Sequence, residues 1–161
     1  MWENVVNKEL ISRGINDVCQ LNIKSLSDAF NVNIVYWNCS TRIVKDDELY
    51  YCIIDNRKHP VLQYEEFLHE LAHIIYDNDL CVANDKRIYF YRECKVNHLV
   101  PLIAIPKFAI MHILGKTVEE ISSEFGITRS LAMKRLKHIY CKGVDRYESS
   151  LIRSGINRWS N

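Results

Sequence analysis

The chain has 161 residues, of which 48% are hydrophobic and 25% charged, and its formal net charge is +1. This length suits one hydrophobic core, or a main domain with a small helical addition, and excludes two large domains. The charge is uneven: residues 1–106 carry eleven basic and fifteen acidic side chains, whereas residues 107–161 carry ten and five. The basic surplus therefore lies in the C-terminal part.

The cysteines and the apolar stretches indicate the compartment. The six cysteines include no C-x-x-C pair, which argues against a zinc ribbon or redox motif and favours reduced, buried thiols. The first residues resemble no secretory signal, and the longest apolar stretch, Leu99 to Leu114, is interrupted by proline and too short to span a bilayer. We expect a soluble, cytoplasmic protein.

Residue patterns predict the elements in chain order. We expect helices over 2–12 and 23–30, strands over 33–37, 42–44 and 49–54, a helix over 61–76, a loop over 78–86 and a helix over 87–104 despite Pro101. The expected class is α+β, with a small antiparallel sheet ahead of the long helix.

The helix over 61–76 carries the motif His69-Glu70-Leu71-Ala72-His73, a match to H-E-x-x-H. Helical positions i and i+4 share a face, so both imidazoles can bind one ion. A catalytic zinc site keeps one position open for water, and Glu70 can take a proton from that water. The spacing therefore predicts a metal site with a general base, as in the zincin-like (thermolysin-like) metallopeptidases.

Such a site needs a third protein ligand. Glu93 follows His73 by twenty residues, and Asn97 would share its helical face and could steady a ligand. Asp77 is too close in sequence to fold back, and Cys94 would point about 100° away from Glu93. The remaining candidates are Asp79, Cys81, Asp85 and His98.

An oxyanion donor near the metal is also expected, a tyrosine or histidine. His98, Tyr64 and Tyr76 are the candidates, and the sequence does not choose among them.

H-E-x-x-H, then Glu93-x-x-x-Asn97, then an apolar run ending at Ile105-Pro106, resembles the ImmA/IrrE family of metallopeptidases. The resemblance covers residues 31–136 and matches His69, His73 and Glu93 to the metal ligands, Glu70 to the catalytic glutamate and Asn97 to the family's asparagine. Lys95, Val96 and Leu99 depart from the family pattern without removing a metal-binding atom.

The resemblance implies a zincin-like core and a zinc-dependent endopeptidase with one Zn²⁺, or Mn²⁺ in its place. Members from phages and mobile elements cut helix-turn-helix repressors and so relieve repression. The expected substrate is therefore such a repressor, and the expected domains are a metallopeptidase domain over 1–106 and a helical region over 107–161.

The helical region includes a segment that resembles a helix-turn-helix. A helical run over 107–114 ends at Gly115, Thr117 and Glu120 have capping-box spacing, and apolar residues surround a turn at Gly126. The second helix would expose five side chains, namely Arg129, Ser130, Met133, Lys134 and Lys137.

Three roles are open for this segment. The basic helix could contact DNA, the helix pair could be a cap on the peptidase domain, or the basic face could grip a protein substrate. We favour the cap, because Glu119, Glu120 and Glu124 would repel phosphate. The alternative to the peptidase is a non-proteolytic anti-repressor or a DNA-binding regulator that acts through these helices, with a structural or vestigial metal site.

Overall fold

The computed structural model describes residues 2–47, 49–76 and 86–141, and it has a mixed α+β fold. In chain order the elements are α1 (Trp2–Ser12), α2 (Ile23–Phe30), β1 (Val32–Trp37), β2 (Arg42–Asp46), β3 (Leu49–Asp55), α3 (Pro60–Tyr76), α4 (Lys86–Ala104), α5 (Ile110–Ile113), α6 (Val118–Phe125) and α7 (Arg129–Cys141). The predicted helices and strands up to residue 104 are confirmed within two residues at each end. The predicted loop over 78–86 lies outside the described residues, except that Lys86 begins α4.

The sheet differs from the expected antiparallel arrangement. Its strand order is β1-β3-β2, with β3 parallel to β1 and antiparallel to β2. The β2–β3 pair is antiparallel as expected, but the expectation was wrong for β1, which pairs parallel with β3 because residues 38–41 carry the chain across β3, about 10 Å for two strand spacings. β2 is consequently an edge strand, and its outer edge faces α3 through hydrogen bonds described below.

One hydrophobic core includes residues from before and after Pro106. It joins side chains of α1, α2 and the sheet to the inner faces of α3 and α4, and continues into α5, α6 and α7. Residues 87–113 are long and apolar enough to cross a membrane by composition, yet 67% of their most apolar window is buried inside the protein, as in a core helix. α4 continues through Pro101, whose carbonyl accepts a hydrogen bond from the Ile105 amide.

The helical run expected over 107–114 is confirmed up to residue 113, and its first turn is a 3₁₀ turn. Residues Lys107–Ala109 form a 3₁₀ turn, and α5 has only four residues. Pro106 precedes this run in an extended conformation, at ψ 169°, and offers no capping side chain. The predicted capping box is confirmed, since Thr117 Oγ1 accepts from the Glu120 amide and the Glu120 carboxylate accepts from the Thr117 amide.

A short turn connects α6 to α7 and gives the helix-turn-helix-like pair its shape. Gly126 is left-handed at φ 61°, a conformation that glycine adopts without strain. The five apolar residues expected around the turn, Ile121, Phe125, Ile127, Ala132 and Leu136, are all buried. The five side chains expected at the surface of α7 are all exposed.

Candidate metal centre

The two histidines of the motif lie on one face of α3, next to the face that enters the core. Leu68, Leu71 and Ala72 are buried, and this anchors the middle of the helix. The His69 and His73 side chains are 28% and 22% exposed, so they border the core but can be reached from solvent. Their Nε2 atoms are 3.3 Å apart.

The structure brings Glu93 of α4 to these two rings. Its Oε2 lies 3.4 Å from His69 Nε2 and its Oε1 lies 3.3 Å from His73 Nε2. This convergence results from the packing of α4 against α3, with Val96 and Leu99 buried between them and the rest of the core. Glu93, the residue that the resemblance indicates as third ligand, is therefore in contact with both histidines.

These separations can be compared with the size of a metal ion. Ligand atoms held about 2.0–2.1 Å from a tetrahedral ion are about 3.3–3.4 Å from one another. The three side chains each offer one ligand atom within 4.8 Å of the others, so the group could hold a metal ion. The two Nε2 atoms are 3.3 Å apart and each lies 3.3–3.4 Å from a different oxygen of the Glu93 carboxylate, so each of these separations matches the edge of such a tetrahedron.

The protonation state of His73 suits a metal ligand. Burial lowers the pKa of the His73 ring, and the nearby charge of Glu93 opposes this only in part. A metal binds the neutral imidazole, so a lowered pKa reduces the competition from protons.

Glu70 lies between the two histidines in sequence and is held by the sheet. Its Oε2 accepts a hydrogen bond from the Ile43 amide of β2 at 2.9 Å. Burial raises the pKa of Glu70 to about 7, the Ile43 hydrogen bond opposes this rise, and the charges of Glu93 and Glu66 add to it. A carboxyl group with a pKa near neutrality can both accept and return a proton.

A second set of hydrogen bonds fixes β2 against α3 one turn earlier. Glu66 accepts hydrogen bonds from the Thr41 hydroxyl and from the Lys58 ammonium. The Thr41 hydroxyl in turn accepts from the Asp55 amide of β3. Glu66 and Glu70 therefore tie consecutive turns of α3 to the edge of the sheet.

The structure separates the remaining expected site residues. Asn97 lines a cavity with His69, as a residue near the ligands should. His98 stacks on His138 with ring centroids 4.5 Å apart, and Tyr76 packs against Trp2 at 5.5 Å. His98 is not a member of the group formed by His69, His73 and Glu93, and the oxyanion role of His98 or Tyr76 stays a prediction.

Tyr64 is directed elsewhere. Its hydroxyl donates to the Leu21 carbonyl at 3.0 Å, and burial raises the pKa of this phenol. It lines a different cavity, of about 850 Å³, between α2, β1 and α6, which includes none of the three grouped residues. The prediction that Tyr64 is the oxyanion donor is therefore wrong, because its hydroxyl donates its proton to the Leu21 carbonyl.

Cys94, which the sequence allowed as a third ligand, has no role in this group. It is exposed on α4 and is not among the three members. Four further candidates for that position, Asp77, Asp79, Cys81 and Asp85, lie outside the described residues.

Thr128, the residue before α7, is bonded to α3, whereas the side chains of Arg129, Ser130 and Met133 at the start of α7 are exposed. The Thr128 amide donates to Glu65 Oε1 at 2.6 Å, and Lys134 lines the same cavity as His69 and Asn97. Arg129 forms an ion pair with Glu119, and Lys137 is exposed. The bond between Thr128 and Glu65 joins the start of α7 to α3, as expected for a cap, and the Glu119 carboxylate occupies Arg129, the first basic side chain of the helix.

The sequence did not predict the hydrogen bonds that join Glu66 and Glu70 of α3 to the edge of the sheet. No pattern indicated that Ile43 would reach Glu70 or that Thr41 would reach Glu66, since these contacts join residues 27 and 25 positions apart. The i, i+4 spacing of Glu66 and Glu70 was the one available signal, because it places both carboxylates on one helical face.

Known proteins provide no further guide to the family. Neither the family models nor the curated proteins nor the solved structures that we compared with this chain include a match.

Proposed function

We propose that the protein is a zinc-dependent endopeptidase of the zincin-like type and that it cuts a helix-turn-helix transcriptional repressor in the cytoplasm, thereby relieving repression. The supporting observation is the convergence of His69, His73 and Glu93 within metal-ligand distances beside the Glu70 carboxylate. The choice of a repressor as substrate rests on the ImmA/IrrE-like motif alone.

Each residue has a definite task in this reaction. His69, His73 and Glu93 would hold the ion, which when bound activates water and polarises the peptide carbonyl. Glu70 would accept a proton from the attacking water and return it to the leaving amine. Burial raises the pKa of this carboxyl group, which helps it hold the proton before the amine accepts it.

The outer edge of β2 supports an extended binding mode for the substrate. The Ile43 amide points away from β3 toward Glu70, so this edge and the metal group border the same space. A peptide that adds as a further strand beyond Ile43, whose amide is bound to Glu70, would bring its carbonyl groups to that space.

The second candidate is a non-proteolytic anti-repressor that uses the C-terminal helices to bind its partner. The observation in its favour is the exposed basic surface of α7, which includes Lys134 and Lys137. Direct DNA binding is less well supported, because Arg129 is paired with Glu119, whose charge would repel phosphate.

One substitution discriminates between these functions. Glu70→Gln keeps the metal ligands and removes the base, so zinc content should stay unchanged while peptide hydrolysis falls about 10²–10⁴-fold. The measurement is cleavage of a peptide library followed by mass spectrometry, together with a repressor-controlled reporter in cells. The peptidase role fails if Glu70→Gln still relieves repression and the repressor stays intact.

A further inference from the structure

A cavity of about 370 Å³ opens beside the candidate metal centre, between α3, α4 and α7. His69 is one of its lining residues, so whatever occupies it is next to the metal group. The volume is roughly ten times that of a water molecule in the liquid, about 30 Å³. It is therefore large enough for one amino-acid side chain of a peptide that is bound at the metal.

Three side chains that can donate hydrogen bonds line this cavity, and they have no hydrogen bond or ion pair with another described residue. They are Asn97 of α4 and Ser130 and Lys134 of α7. Within residues 2–47, 49–76 and 86–141, none of these side chains has a hydrogen bond or ion pair with another residue. An ammonium group, an amide and a hydroxyl thus remain available to a ligand.

The two carboxylates of the cavity are already bound by donors. Glu65 accepts from the Thr128 amide, at the positive end of the α7 dipole. Glu66 accepts from the Thr41 hydroxyl and the Lys58 ammonium. The Lys58 ammonium offsets the charge of Glu66, and the α7 dipole offsets that of Glu65 in part, whereas no described residue forms an ion pair with Lys134.

We infer that this cavity is a specificity pocket for an acidic side chain of the substrate, with Lys134 as ion partner and Asn97 and Ser130 as hydrogen-bond donors. A carboxylate accepts from all three donors and has no proton to give, which fits it better than an amide or an ammonium. This inference rests on the proposed peptidase function. It also assigns substrate binding to the helix-turn-helix-like pair, because α7 contributes two of the three donors.

The first arm of the test measures binding without cleavage. The probes are fluorescent dodecapeptides with randomised flanks and a fixed central Glu, Gln or Lys, and the protein is the zinc-bound Glu70→Gln chain. The Glu peptides should bind about tenfold more tightly than the Lys peptides. Adding Lys134→Glu should reverse this order and Lys134→Gln should abolish it, whereas Lys107→Glu, the same charge change at an exposed site outside the cavity, should leave it unchanged.

The second arm measures cleavage of a peptide library by the zinc-bound unmodified chain. Asp and Glu should be enriched at one position near the cut bond, and this enrichment should be lost in Lys134→Glu. Equal binding of all three probes, a preference for Lys, or an order insensitive to Lys134 overturns the pocket. Absence of cleavage, with an acidic preference that depends on Lys134 in the binding arm, overturns the peptidase proposal while supporting the pocket.

Discussion

The Ile43 amide donates a hydrogen bond to Glu70 Oε2 across 2.9 Å and so connects the outer edge of the sheet to the middle of the motif helix. This bond stabilises the ionised carboxylate and keeps the pKa of Glu70 lower than burial alone would set it. The sheet edge thus both positions and tunes the group that we propose as the general base.

Removing that amide proton should shift the pH dependence of activity. Ile43→Pro deletes the donor at an outward-facing position of an edge strand, where proline does not interrupt the pairing with β3. The pKa of Glu70 should rise, and because a general base acts when ionised, the acid limb of kcat/KM should move to higher pH. We also expect a loss of about tenfold or more at neutral pH from misplacement of the carboxylate.

The matched control is Lys45→Pro, two residues along the same strand edge. It introduces the same strain but leaves the Glu70 contact, so its acid limb should stay in place. An unchanged limb in Ile43→Pro would show that this hydrogen bond does not tune the base.

Glu93 should be required for metal binding and its neighbour Cys94 should not. Glu93 contacts both histidines, whereas Cys94 is exposed on the same helix. Glu93→Ala should weaken zinc binding at least about 100-fold, and Cys94→Ala should keep one ion per chain. Elemental analysis after dialysis at fixed free zinc measures both; zinc retained by Glu93→Ala would refute its role as a ligand.

Much of this arrangement can be predicted from local patterns. The i, i+4 spacing places His69 and His73 on one face whatever else the fold does, and capping at Thr117 and the turn at Gly126 are likewise local. Contacts between distant segments cannot be predicted in this way. The strand order depends on how residues 38–41 cross β3, and the cavity beside His69 depends on where α7 packs.

A buried ion pair joins the two ends of the described chain. Arg135 of α7 is fully buried, pairs with Glu3 of α1 and donates through Nε to the Ile105 carbonyl at 2.7 Å. Burial lowers the pKa of Arg135 and the contact with Glu3 opposes this. Among the described residues its Nη1 has no hydrogen-bond partner, so the charge depends strongly on Glu3.

Removing Glu3 alone should lower the free energy of unfolding more than replacing both members of the ion pair. Glu3→Ala leaves a buried, uncompensated guanidinium and should lower the free energy of unfolding by about 3–5 kcal/mol. The double variant Glu3→Ala/Arg135→Met removes the charge as well and should recover part of the loss. Urea unfolding followed by circular dichroism tests this, and a double variant less stable than Glu3→Ala would contradict it.

The thiols of the described cysteines should differ in reactivity. Cys52 is buried in the sheet and its pKa is raised to about 12, mainly by burial, whereas Cys19 and Cys94 are exposed and Cys39 is partly so. The expectation of uniformly buried thiols was therefore wrong, because Cys19 and Cys94 lie on outer faces of their helical segments. Iodoacetamide at pH 8 should modify Cys94 rapidly in the folded protein and Cys52 only after unfolding, as peptide mapping would reveal.

X-ray absorption at the zinc edge of the purified, zinc-bound protein tests the metal centre most directly. The account predicts only nitrogen and oxygen neighbours at about 2.0–2.1 Å, with the outer-shell scattering of two imidazole rings. A sulfur neighbour at about 2.3 Å, or the scattering of fewer than two imidazoles, would contradict binding by His69, His73 and Glu93.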